Sequence, residues 1–363
     1  MQKSGESLMQ RVENLQKDIE SAYLDAFLVT DSVNIYYLTG FKLIQGDGCL
    51  LIYSQKGYLI TDDRYEEAVT ESNISGTVGC ITRDYYGEVN RLCHKLNISV
   101  LGIESNISYK IYDLLDETFD ADIVPIDNFI EDKRSIKDPS EIKKLKNAAE
   151  LNQKGFDYIC ETIKPGMTEV DIANMLDWWM KRNGATKASF DTIVASGANA
   201  AKPHALSTKK QITVGEPIII DFGYFVDGYT ADLTRTIMLG NQSAKFNQLY
   251  QIVYQAREAV INAASNGIVG KSLDKVGRDI INDAGYGQYF NHGMGHGIGL
   301  EVHEIPTSYG TLTKDTLKTN QVVTVEPGIY LPGEGGIRVE DDILITDGAA
   351  QQISNAPDNL IIL

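Results

Sequence analysis

Two aspartates, Asp221 and Asp232, give the first chemical signal in this 363-residue chain. They lie in the run IIIDFGYFVDGYTADLTRTIML, where Asp227-Gly228 between two apolar stretches is the signature of a two-residue hairpin turn. That turn makes Val226 and Tyr229 partners, so paired positions sum to 455 and Asp232 falls opposite Gly223. Asp221, two residues from Gly223, shares its face of the strand. The two carboxylates are then diagonal neighbours ~7–8 Å apart at the backbone, with Gly223 expected to leave the space between them open. Like charges so placed repel unless a cation or a proton lies between them. Two ordinary exposed strand residues are the plainer reading. Against it, aspartate is disfavoured in strands, and Asp221 closes a run of three isoleucines that reads as buried.

A pair of glutamates repeats the arrangement. Glu326 ends the apolar run VVTVE and is followed by Pro327-Gly328; after LPGEGG the chain re-enters as IRVEDDILI, read as one strand. Arg338 and Glu340 are two apart and share a face, so the guanidinium can hold the carboxylate ionised and oriented. Asp341 and Asp342 follow directly, and spacing alone does not choose among the three acids. Four of the five histidines lie in the same region, and His292, His296 and His303 fall within HGMGHGIGLEVH. So much glycine excludes a helical two-histidine zinc site, but suits a loop that must approach a ligand closely. Which of these histidines would bind a metal is open at this level. One histidine with four carboxylates is an oxygen-rich donor set, suited to Mn²⁺ and less selectively to Zn²⁺, Co²⁺ or Fe²⁺. A single divalent ion would leave excess negative charge, so two ions sharing carboxylates balance better.

The elements that must position these residues read as one unit written twice. The first copy is a helix over residues 169–183, a Gly/Ala-rich segment ending at His204, a strand ending at Asp221 and a strand carrying Asp232. The second is a helix over 273–283, a Gly-rich segment ending at His303, a strand ending at Glu326 and a strand carrying Glu340. The histidine-to-acid spacings are 17 and 23 and the acid-to-acid spacings 11 and 14. A pseudo-twofold repeat would set all four strands side by side with their acids facing. Ahead of it, strand patterns at 26–30, 49–54, 57–61, 77–82, 99–104 and 122–126 alternate with helical ones, which predicts an α/β layer domain. No Gly-rich phosphate loop follows any of these strands. The charged stretch EDKRSIKDPSE (131–141) reads as a linker running into a helix, with Asp138 as N-cap, Pro139 at the first helical position and Glu141 closing a capping box.

Composition bounds the function. With 33 basic and 50 acidic residues the net charge is −17, which argues against nucleic acid or an anionic membrane surface as partner. No apolar run approaches the ~18 residues of a membrane span, and the N-terminal residues have the polar character of a helix rather than of a secretion signal. Four cysteines without a CxxC pair read as buried thiols in a reducing cytoplasm.

Taken together, DFGYFVDGYTADLTRT, HGMGHGIGLEVHE, TVEPGIY and GIRVEDD resemble the pita-bread metallopeptidases, in their Xaa-Pro aminopeptidase and prolidase branch. The resemblance implies a creatinase-like α/β N-terminal domain (1–132) and an α+β pseudo-twofold pita-bread catalytic domain (133–363). It implies that Asp221 binds one metal, that Asp232 and Glu340 bridge two, and that His296 and Glu326 complete the second. It places His204 and His303 in the substrate pocket, facing the oxyanion that develops, His292 in a supporting role, and Arg338 beside the bridging glutamate. Glu326 would carry the proton from water to the leaving nitrogen. The implied activity is hydrolysis of the bond before proline, releasing the N-terminal residue of a peptide. The alternatives are an Xaa-Pro dipeptidase (prolidase) and a non-enzymatic peptide-binding module of the same fold, which the retained ligands speak against. Proline-containing peptides as substrates, a homodimer and a cytoplasmic location complete what it implies.

Overall fold

The computed structural model describes residues 2–54, 56–72, 74, 76–240, 243–354 and 356–363, and the side chains of residues 2–7 and 9 are outside that description. The chain forms two compact units, residues 1–133 and 134–363.

In the first unit, six strands form one sheet: β1 (Ala26–Val29), β2 (Gly48–Tyr53), β3 (Lys56–Thr61), β4 (Thr77–Ile81), β5 (Val100–Glu104) and β6 (Asp122–Ile126), in the order β4-β3-β2-β1-β5-β6. All six coincide with the predicted runs. The helices Tyr85–Leu96 and Tyr109–Thr118 coincide with the predicted helical patterns. Leu28, Leu51, Ile60 and Leu101 pack with Val89 and Leu92 in a core of its own. Among the described residues no helix is long and apolar enough to cross a membrane.

The second unit opens on helix Pro139–Thr162, whose N-terminus carries the predicted capping box: Asp138 accepts from the Ser140 and Glu141 amides, and Glu141 reaches back to the Asp138 amide. The stretch before it, where the first unit gives way to the second, is partly buried. It forms a short helix, Glu131–Ser135, and Arg134, Lys137 and Glu141 are buried. Arg134 and Lys137 both donate to Glu304, which is buried too. A charged sequence is buried here because its charges are paired.

Two sheets follow. One contains β7 (Ile193–Ser196), β8 (Pro217–Val226) and β9 (Tyr229–Met238), with β17 (Ile361–Ile362) at its far edge. The other is built from β10 (Gly295–Gly297), β11 (Glu304–Tyr309), β12 (Val322–Val325), β15 (Asp341–Leu344) and β16 (Gln351–Gln352), in the order β11-β10-β12-β15-β16. Between β12 and β15 the chain makes a hairpin, β13 (Gly328–Leu331) with β14 (Gly335–Arg338). The β8–β9 register is the one the turn predicts, with Val226 opposite Tyr229 and Gly223 opposite Asp232. Asp227 and Gly228 both take positive φ, 51° and 85°, as a tight hairpin turn requires. Ile218, Ile219 and Ile220 are buried in this sheet, each worth roughly 2 kcal/mol of apolar burial.

The repeat is present with one addition. Helix Ala244–Ala263, unread in the sequence, stands before Gly270–Asp283 as Pro139–Thr162 stands before Glu169–Arg182, so each half has a helix pair ahead of its strands. The four acid-bearing strands do not form a single ladder, and IRVEDDILI is not one strand. The chain breaks at Val339 and Glu340, and the two sheets meet there: the Glu340 amide donates to Thr234 O at 3.0 Å and the Asp232 amide to Asp342 Oδ2 at 3.0 Å.

Candidate active site

Asp221 and Asp232 come from neighbouring strands through the β8–β9 register. The space between them is not open as expected: a Cβ on Gly223 would lie 2.5 Å from Ser189 Oγ and 2.7 Å from Ala231 O. Glycine at 223 therefore lets the chain at Ser189-Phe190 close over the strand. Glu340 enters from the junction of the sheets, its Oε2 accepting from Thr234 Oγ1 at 2.5 Å. Its two neighbours are turned elsewhere. Asp341 is fully buried between Arg235 and Arg257. Asp342 holds the Asp232 amide and accepts nothing on its second oxygen. Among the three consecutive acids, then, Glu340 is the one whose ligand atom lies with those of Asp232 and His296, all three within 4.8 Å of one another.

His296 is set on β10, which pairs with β12, and its amide donates to Thr324 Oγ1 at 3.0 Å. Gly295 permits this approach, because a Cβ there would fall 2.1 Å from Thr324 O. The same contact brings in Glu326, whose amide donates to Met294 O at 2.9 Å. The Nδ1 of His296 lies 3.1 Å from Gly297 O, an atom that can only accept, so the proton is on Nδ1 and the lone pair on Nε2. That lone pair faces Glu326 Oε1 at 3.6 Å and Asp232 Oδ2 at 4.0 Å. Both distances are too long for a hydrogen bond.

Arg338 departs from the expected role. It contacts the other side of the acid cluster: Nη2 donates to Asp221 Oδ2, Nη1 to Tyr330 OH at 2.9 Å and to Pro203 O at 3.2 Å, and Nε to Thr234 Oγ1 at 3.1 Å. It reaches Glu340 only through Thr234. Tyr330 and Thr234 were both in quoted runs but had been given no part. The signal for Tyr330 was its place in TVEPGIY, four residues past Glu326. His292 is neutral by the same donor logic as His296: Nδ1 lies 2.8 Å from Gly293 O, leaving Nε2 to accept from Tyr330 OH at 2.9 Å. His204 and His303 are exposed, and the His303 ring stands 4.1 Å from that of His296. A cavity of about 210 Å³ is lined by His204, His292, His296, His303, Asp221 and Glu326, with Arg338, Thr307 and Ser308. All the predicted site residues that touch this cavity come from one unit.

The electrostatics are those of a site built for a cation. Burial and the neighbouring carboxylates Asp221, Asp342 and Glu326 push Asp232 well above the usual carboxylate range. Burial, then Asp232, Glu326 and Asp221 do the same to Glu340. Burial raises Glu326 to about 7, against the opposing pull of Arg338. Burial lowers His296 to about 4 and His292 to about 3. Asp221 Oδ1 and Glu340 Oε1 are buried without any hydrogen-bond partner. Unpartnered carboxylate oxygens beside a histidine lone pair are costly as they stand. A divalent cation would satisfy them and reverse the pKa shifts, so the residues present fit a divalent metal.

Comparison with known proteins agrees with this chemistry. Residues 143–347 match the model for metallopeptidase family M24, and residues 11–136 match the creatinase/prolidase N-terminal domain. A protein of Pyrococcus horikoshii named Xaa-Pro dipeptidase is 36% identical over 97% of this chain and 99% of its own length. The structure titled Xaa-Pro dipeptidase from Bacillus anthracis superposes with a TM-score of 0.93 at 38% identity, covering 98% of this chain and 100% of the other. That of an X-Pro aminopeptidase from Thermotoga maritima gives 0.90 at 34% identity, covering 97% and 99%.

Proposed function

Because the chain belongs to metallopeptidase family M24, with a creatinase-type N-terminal domain ahead of the pita-bread catalytic domain, we propose that it is an Xaa-Pro dipeptidase, cleaving the bond before proline in dipeptides. That it is a metal-dependent peptidase follows from the family. The proline bond and the dipeptide are the proposal. The sequence reading put peptide substrates first; the relatives named Xaa-Pro dipeptidase favour the dipeptide.

The observation that carries the reading is the His296 lone pair facing Asp232 and Glu326 across gaps no hydrogen bond fills. In this proposal Asp221, Asp232, His296, Glu326 and Glu340 hold two divalent ions, Mn²⁺ foremost. Bound there, the ions supply an acidified water and a polarised scissile carbonyl. Glu326 borders the cavity and carries the proton from the attacking water to the proline nitrogen. His204 and His303 donate to the carbonyl oxygen as it becomes an oxyanion. Arg338 holds Asp221 in place and ties down the chain at Pro203. Neutral His292 steadies Tyr330. The same reading includes work in the cytoplasm as a homodimer, which sedimentation of the purified protein tests.

A second reading, aminopeptidase action on longer peptides, has one structural observation in its favour. Past His292, Gly293 and Ser308 the cavity adjoins another, lined by Gly310, Thr311, Leu312 and Thr313, where a chain beyond proline has room. Hydrolysis of Ala-Pro and of Ala-Pro-Ala, each with added Mn²⁺ and with chelator, separates the possibilities. A dipeptidase turns over Ala-Pro and is silenced by chelation. Faster turnover of Ala-Pro-Ala would replace this reading with the second, and activity undiminished by exhaustive chelation would overturn both.

A further inference from the structure

Glu169 begins the helix Glu169–Arg182, directly after its N-cap Thr168. It is 0% exposed, and its hydrogen-bond partners among the described residues are all uncharged. Its Oε1 accepts from the Ser196 amide at 2.7 Å and the Ser196 hydroxyl at 2.8 Å. Its Oε2 accepts from Asn199 Nδ2 at 2.9 Å, the Thr208 amide at 3.0 Å and the Thr208 hydroxyl at 2.7 Å. All five donors belong to one segment, 196–208, which leaves β7, passes through His204 and returns toward β8. Asn199 Nδ2 also donates to Leu206 O at 3.1 Å, two residues beyond His204. On the other side of the histidine, Pro203 O is held by Arg338.

We infer that Glu169 is a positioning residue for His204, fixing the loop through Ser196, Asn199 and Thr208 so that the imidazole lines the cavity beside the acid cluster. Arg338 anchors the loop from the site, and Glu169 anchors its base from a helix that contributes nothing to the cavity. Ser207 adds bonds to Val194 and Thr192, and Thr208 O accepts from the Val170 amide, but only Glu169 joins the two ends of the segment, Ser196 and Thr208, through one side chain. Only a carboxylate serves at 169, because each oxygen faces backbone and hydroxyl donors. The NH₂ of glutamine would point at either the Ser196 or the Thr208 amide and break that tie. The inference rests on the proposed role of His204, and the test separates the two.

The test is a double-mutant cycle on E169Q and H204A, reading kcat and KM for Ala-Pro with saturating Mn²⁺. Alongside it run Mn²⁺ titration calorimetry and hydrogen exchange of the 196–208 amides. E169Q should lower kcat about tenfold, change KM little, bind Mn²⁺ normally and lose protection at Ser196 and Thr208. In the H204A background it should lower kcat no further. N199A, which removes one bond and leaves Glu169 in place, should give a smaller drop of the same kind and serves where E169Q does not fold. If E169Q or N199A lowers kcat equally with and without His204, Glu169 is a structural residue only and the inference fails. If H204A alone leaves kcat unchanged, the role proposed for His204 fails first.

Discussion

Replacing Glu304 with glutamine should destabilise residues 134–363 by about 3 kcal/mol at neutral pH, and the loss should shrink on acidification. Glu304 is buried against Arg134 Nη2 at 2.6 Å and Lys137 Nζ at 2.7 Å, and both cations are themselves buried. The Leu300 and Glu301 amides donate to its Oε1. Burial by itself would raise this carboxyl, but Lys137 and then Arg134 outweigh it and hold the group at about 2 against an ordinary 4.5. That difference corresponds to about 3 kcal/mol. The folded value is depressed, so the stabilisation is fully present above about 4.5 and is lost as pH falls through about 2. At pH 3.5 the linkage relation removes nearly half of it. Glutamine cannot ionise and leaves Lys137 facing a neutral amide. The assay is urea unfolding of wild type and E304Q at pH 7 and 3.5. Chelator is present throughout, so that pH-dependent metal uptake does not enter. The gap should narrow by about half at the lower pH. Equal stability at pH 7, or a gap that ignores pH, would refute the claim that a charge holds these cations in place.

Three further outcomes follow from the geometry. D232N and E340Q should each abolish Mn²⁺ uptake by calorimetry and turnover of Ala-Pro; either variant keeping two bound metals and normal activity would sink the two-ion proposal. T234V removes the hydroxyl that donates to Glu340 and accepts from Arg338, and should weaken Mn²⁺ affinity about 10- to 100-fold, read by the same titration, while the fold melts within a few degrees of wild type. G223A places a methyl 2.5 Å from Ser189 Oγ and 2.7 Å from Ala231 O; the carbonyl cannot move cheaply, so about 1–3 kcal/mol of stability should be lost in urea unfolding, and S189A should not restore it.

Part of this site was legible because local chemistry fixes it. The Asp227-Gly228 turn dictates register, and register alone puts Asp221 and Asp232 on one face. The capping box at Asp138 and Glu141 is likewise a local matter. What was not legible depends on partners far along the chain. Nothing near Arg338 says that it will take Asp221, 117 residues away, instead of Glu340 two residues away. Glu169 and Glu304 are ordinary acids in sequence, and only the fold surrounds each with donors. The burial of Arg134 and Lys137 within 131–141 was not legible for the same reason, since their partner lies more than 160 residues ahead.

The choice among Glu340, Asp341 and Asp342 shows where the boundary falls. Three consecutive acids alternate in direction, so one face of an unbroken strand would have carried Glu340 and Asp342 together. The break at Val339 and Glu340 removes that equivalence. It turns Asp342 to the Asp232 amide and gives Asp341 to Arg235 and Arg257. Arg257 lies on the helix Ala244–Ala263, the element the sequence reading passed over. Its signal was there: Phe246, Tyr250, Val253, Ala256 and Val260 are spaced by three and four, as a buried helical stripe requires. With that helix read, an arginine on its buried face would have demanded a buried acid. Asp341 on β15 supplies it. The identity of the glutamate that joins Asp232 and His296 is thus tied to a salt bridge on the far side of the strand: Asp341 can face away from that cluster because Arg235 and Arg257 neutralise it there, and Glu340 is left beside Asp232 and His296.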